Sequence, residues 1–62
     1  MEEQSAKFIK VYANLPIGLR SEIVVVLDEL GPITWNAAYV EVSNKTDLGK
    51  KILGNLEKLG II

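Results

Sequence analysis

The chain has 62 residues, a formal net charge of −1, and neither cysteine nor histidine. The lack of both residue types excludes disulfides, thiolate metal sites and imidazole-based catalysis. This length predicts one domain over residues 1–62, which buries only about 60% of the surface that its unfolded chain exposes. No apolar run approaches the roughly 18 residues of a membrane span, and the first residues, MEEQSAK, are too polar for a signal peptide. We therefore predict a cytoplasmic protein with no membrane partner.

The first segment predicts an amphipathic helix of roughly three turns. Its apolar residues recur at helical spacing and are Phe8, Val11, Tyr12 and Leu15. Pro16 ends the helix, because the residue before a proline is pushed out of the helical region. Since 48% of the chain is hydrophobic, one copy has more apolar surface than a small core uses. We expect a homodimer, with this amino-terminal helix as the better candidate for self-association.

Residues 16 to 30 admit two predictions. Leu19, Ile23, Leu27 and Leu30 recur at helical spacing, and Gly31-Pro32 resembles a helix stop. This pattern favours a second helix and an all-α fold. The run from Ile23 to Leu27, however, contains three consecutive valines and is also typical of a buried strand. The alternative is an α+β helix-hairpin-helix fold, in which residues 23–27 pair with residues 33–42 across a turn at residues 28–32.

Two more helices are predicted in the second half. Thr34 can cap a short helix in which Ala37 and Ala38 allow close approach of a neighbour. Ser43, Asn44 and Thr46 are residue types that begin a helix, and Gly60 is a type that ends one. The last helix should run from about residue 45 to about residue 59. Its apolar stripe consists of Leu48, Ile52, Leu56 and Leu59, and its opposite side of Lys50, Lys51, Gly54 and Lys58.

Taken together, Gly31-Pro32-Ile33-Thr34, the alanine-containing segment, the polar turn and the final LEKLGII resemble the helix-turn-helix core of winged-helix transcription regulators. The resemblance covers roughly residues 19–62. It implies an all-α, wingless helix-turn-helix domain with an extra amino-terminal helix, and a DNA-binding role in transcription for the third helix. The sequence stops at Ile62, where the family continues into its wing, so we expect no wing contact to DNA.

The resemblance also implies which residues meet DNA. Lys45, Lys50 and Lys51 would contact phosphates, and Thr46 and Asn55 would lie nearer the bases. The charge distribution agrees, because residues 43–62 carry four lysines against Asp47 and Glu57, a net +2. Residues 1–42 carry three basic and six acidic residues, a net −3. Three lysines on an exposed helix are equally typical of an ordinary solvated surface.

The alternative function is a protein-protein interaction module of winged-helix type that does not bind nucleic acid. The acidic overall balance and the missing wing favour it. We predict no enzyme, because paired carboxylates need a cleft to separate their acidities and so small a helical domain offers little cleft. No residue pattern indicates a cofactor or a metal ion.

Overall fold

A computed structural model describes residues 2–62, which form three α-helices, one short 3-10 helix and a two-stranded sheet. The elements in chain order are α1 (Glu2–Ala13), the 3-10 helix (Ile17–Leu19), β1 (Ile23–Leu27), β2 (Gly31–Thr34), α2 (Trp35–Ser43) and α3 (Asp47–Lys58). The two strands are antiparallel and form a hairpin. None of the helices within this part of the chain is long and apolar enough to cross a membrane.

The predicted all-α fold is wrong, because residues 23–27 form strand β1 and the domain is α+β. The helical stripe that suggested otherwise does not line a core, since Leu19, Ile23 and Leu30 are all about half exposed or more. Val25 and Leu27 are buried instead, at the two-residue spacing of a strand. Consecutive β-branched residues fit a strand better than a helix, because their side chains lose rotamer freedom against the preceding helical turn.

The helix-hairpin-helix alternative has the right class but places its second strand too late in the chain. The partner of β1 is Gly31–Thr34, and residues 35–43 are helical. Thr34 accounts for the switch, because its hydroxyl accepts a hydrogen bond from the Ala37 amide and so begins α2, as predicted. Pro32 is tolerated in β2 because a two-stranded sheet leaves both strands with a free edge.

A β-bulge interrupts β1. Ile23 pairs with Thr34 and Val25 with Ile33, so Val24 is an extra residue on this strand. The bulge resets the alternation of side chains, and Ile23 and Val26 both lie on the outer face although they are three residues apart. Val25 and Leu27 lie on the inner face, against the helices, and Val24 also packs against the core.

The core lies between the inner face of the hairpin and the three helices. Its buried side chains are Phe8, Val25, Leu27, Ala38, Val42, Ile52, Leu53 and Leu56. These side chains come from α1, β1, α2 and α3, whereas β2 contributes the partly buried Ile33 at the border of the core. The stripe predicted for α3 is therefore mostly confirmed, with Leu53 inside it and Leu59 outside, at 62% exposure.

All four aromatic residues lie between α1 and α2. Phe8 stacks on Trp35 with 5.8 Å between ring centroids, and Tyr12 stacks on Tyr39 at 4.4 Å. The Tyr12 hydroxyl donates to Asn36 Oδ1 at 2.7 Å, and the Arg20 guanidinium lies 4.5 Å from the centre of the Tyr12 ring. Helix α1 thus turns its apolar side to the rest of the domain.

Helices α2 and α3 approach most closely at Gly49. A Cβ at this position would lie 2.5 Å from the Glu41 carbonyl oxygen and 3.1 Å from the Val42 Cα. Both are backbone atoms of α2, which cannot move aside as a flexible side chain could. Gly49 is therefore required for this packing.

Substitution of Gly49 by alanine should lower the free energy of unfolding by about 1–3 kcal/mol, because the added methyl overpacks the contact between α2 and α3. Urea denaturation followed by circular dichroism measures this change. Gly54→Ala in the same helix is the matched control. No atom outside the helix lies within 4 Å of a Cβ at Gly54, so this variant should gain up to about 1 kcal/mol. Equal effects of the two variants would contradict the assignment.

Candidate nucleic-acid interface

A three-residue turn, Asn44 to Thr46, joins α2 to α3. Lys45 occupies the left-handed backbone region at φ 55°, which non-glycine residues adopt uncommonly. The Lys45 amide donates to the Val42 carbonyl and the Thr46 amide to the Glu41 carbonyl, so hydrogen bonds to α2 hold the turn. This short connection fixes the direction in which α3 leaves α2.

Thr46 is part of the helix cap rather than of an open surface. Its hydroxyl accepts the Gly49 amide at 2.9 Å and donates to Glu41 Oε1 at 2.7 Å. The side chain is partly buried. Because the hydroxyl is already engaged in these two bonds, Thr46 does not present a free donor or acceptor to DNA bases.

The solvent side of α3 carries three lysines around Gly54. Helical geometry places Lys50, Lys51, Gly54 and Lys58 within an arc of about 100°. All three lysines are exposed. The sequence places Lys58 on this basic side but does not predict it as a DNA-binding residue. Its position one turn after Gly54 is the signal that would include it.

Lys51 and Asn55 lie on the flank of this surface that faces the hairpin. The Lys51 ammonium is 3.3 Å from Glu29 Oε2, with both side chains largely exposed, so this ion pair contributes little stability. Asn55 Nδ2 donates to the Lys51 carbonyl at 2.9 Å. An open groove of about 330 Å³ separates these two residues from the end of the hairpin, residues 26–30.

Lys45 and Lys50 lie on the other flank, close to the amino-terminal end of α1. They line a second open groove, of about 440 Å³, together with Glu2 and Ser5. The structure thus divides the five predicted residues. Lys45 and Lys50 face α1, Lys51 and Asn55 face the hairpin, and Thr46 is held in the cap.

The two glycines of α3 have different explanations. Gly49 is required by the contact with α2, whereas a Cβ at Gly54 would meet nothing within 4 Å. A glycine inside a helix costs about 1 kcal/mol relative to alanine, and no intramolecular contact at Gly54 offsets this cost. The absence of a side chain leaves a shallow spot at the centre of the three lysines, where an external backbone could approach closely.

Residues 2–62 contain no cluster of three or more acidic, cysteine or histidine side chains that could hold a metal ion. Comparisons of the chain with protein-family models, with curated proteins and with solved structures found no match.

Replacement of Thr46 by alanine should lower the free energy of unfolding by about 1 kcal/mol, because the cap of α3 loses its acceptor. Thermal or urea denaturation measures the loss, and Thr46→Ser, which keeps the hydroxyl, should recover most of it. If Thr46 acts only in the cap, the salt dependence of any DNA binding should be the same in Thr46→Ala as in the parent. A clear change of that dependence would assign Thr46 to the interface after all.

Proposed function

We propose that this chain is a cytoplasmic DNA-binding protein that acts in transcriptional control, and that the solvent side of α3 contacts the DNA backbone. The observation that carries the proposal is the ring of Lys50, Lys51 and Lys58 around a glycine that no internal contact requires. Lysines on one helix face neutralise phosphates, and a missing side chain lets the sugar-phosphate backbone come close.

The connection between α2 and α3 also supports DNA binding by α3. Two helices joined by a turn of three residues form the unit that helix-turn-helix proteins use to present their second helix. The close contact at Gly49 and the Thr46 cap hold that unit rigid. In this arrangement Lys50, Lys51 and Lys58 bind phosphates, Lys45 extends the contact at the turn, and Asn55 reaches toward the bases at the groove edge.

Removal of two lysines tests the proposal. The double variant Lys50→Ala with Lys51→Ala should reduce the slope of log affinity against log salt by about 2 for random duplex DNA, because two phosphate contacts are lost. Fluorescence anisotropy at several low salt concentrations measures this slope. The matched control is Lys7→Ala with Lys10→Ala, which removes the same charge from α1 and should leave the slope nearly unchanged. Absence of salt-dependent DNA binding by the parent would contradict the proposal.

Gly54→Ala separates binding from stability. The methyl should stabilise the helix by up to about 1 kcal/mol and yet weaken DNA binding, because it fills the spot where the DNA backbone approaches. Denaturation and anisotropy on the same preparation give the two quantities. A variant that is more stable and binds DNA as tightly as the parent would show that Gly54 is not at the contact.

A protein-protein interaction module without nucleic-acid binding is the second candidate. The observation that favours it is that acidic side chains lie near two of the lysines. Lys51 lies 3.3 Å from Glu29, and Lys50 shares its groove with Glu2. These carboxylates reduce the local positive potential that attracts phosphates. A partner protein that binds α3 at 1:1 while DNA does not bind at low salt would decide for this candidate.

A further inference from the structure

Strand β1 has an open edge. Within residues 2–62 the hydrogen bonds of the β1 backbone join it only to β2, and no side chain outside the hairpin bonds to it. Every second amide and carbonyl of β1 therefore points away from β2. The open groove of about 330 Å³ borders β1 rather than β2. Val26 and Leu27 of β1 line this groove, and no residue of β2 does.

Apart from the bulge at Val24, this edge carries none of the usual devices that prevent strand pairing. Proteins protect free edges with β-bulges, lysine, proline, short strands or inward-pointing charges. The five residues of β1, IVVVL, contain no charge, no proline and no glycine. Ile23 and Val26 are 57% and 67% exposed on the outer face, although they are large apolar side chains. Exposed apolar side chains on an unprotected edge are typical of a strand that is paired in the functional state.

The bulge at Val24 makes one self-pairing register acceptable. In an antiparallel pair, opposed side chains lie on the same face of the sheet. Ile23 and Val26 are outer, and Val24 and Val25 are inner. Among the registers that pair at least four residues of β1, both faces match only when Ile23 opposes Val26 of the second copy and Val24 opposes its Val25. A shift by one residue in either direction would oppose an outer side chain to an inner one.

The charges beside the strand agree with the same register. Glu22 then opposes Leu27 of the second copy, and Asp28 opposes its Ser21, so no like charges meet. The register shifted by one residue toward the turn would set Glu22 against Asp28, which is unfavourable. The Glu22 carboxylate of the second copy would also enter the side of the groove where Lys51 is the exposed cation. In this register the flanks of the strand therefore place no like charges opposite one another.

We propose that β1 pairs antiparallel with β1 of a second copy, forming a symmetric dimer with a continuous four-stranded sheet in the order β2-β1-β1-β2. The two-fold axis runs perpendicular to the sheet, between the paired Val24 and Val25 positions. The helices of both copies cover the inner face, and Ile23 and Val26 of each copy cover one another on the outer face. This interface is centred on β1 and meets the solvent side of α3 only at the groove beside Lys51, so the dimer can be measured in the absence of DNA.

Sedimentation velocity of the full chain over a range of concentrations tests the dimer. The parent should sediment as a dimer at the higher concentrations. Val26→Lys should raise the dissociation constant about tenfold or more, because each dimer loses two apolar cross-strand pairs and gains two edge lysines. Val40→Lys is the matched control, since Val40 is a valine of similar exposure on α2, and it should dimerise like the parent. A parent that is monomeric at every concentration, or equal dimerisation of the two variants, would overturn the proposal.

Cysteine cross-linking tests the register in the folded parent background. The chain has no cysteine of its own, so Ile23→Cys and Val26→Cys each introduce a unique thiol. Opposed residues of an antiparallel pair lie within disulfide range, whereas residues three positions apart along the strand differ by about 10 Å. When the two variants are mixed and oxidised, the mixed disulfide should exceed either self-disulfide. Self-disulfides in an amount equal to or greater than the mixed disulfide would overturn the register. So would a complex with another protein in place of the homodimer.

Discussion

The close approach of α2 and α3 at Gly49 is the constraint on which the rest of the domain depends. The backbone of α2 occupies the space of the missing Cβ, and Thr46 bonds both to the α3 amide of Gly49 and to the Glu41 side chain of α2. These contacts lock a three-residue turn. Because the two helices are then fixed relative to one another, their inner faces close over Val25 and Leu27 of β1, and the lysine side of α3 is left in solvent.

The helices could be predicted from sequence because their signals are local. The proline after Leu15, the Thr34 hydroxyl and the apolar stripe of α3 each act within a few residues. The hairpin could not be separated from a helix in this way. Leu19, Ile23, Leu27 and Leu30 satisfy a helical spacing, and only the tertiary contacts show that Val25 and Leu27 are the buried pair. The bulge at Val24 further hides the two-residue alternation that would have indicated a strand.

The sequence indicates where the lysines lie on α3 but not what they contact. Periodicity alone places Lys50 and Lys51 on the solvent side of α3, and both are exposed. Glu2 and Glu29 are distant from these lysines in the chain, and only the fold brings them near. Glu29 pairs with Lys51, and Glu2 lines the same groove as Lys50. The resemblance implies that Thr46 lies near DNA bases. A threonine that caps a helix uses its hydroxyl for the cap, however, and Thr46 does so here. Local patterns therefore identify the face, and long-range packing decides which of its groups are free.

We propose that the solvent side of α3 binds DNA and that the edge of β1 pairs with a second copy. Backbone amide chemical shifts recorded while random duplex DNA is added at low salt test this most directly. The largest shifts should fall on Lys50, Lys51, Gly54 and Lys58, with β1 and α1 little changed. No shift at low salt, or the largest shifts on β1 or α1, would contradict it.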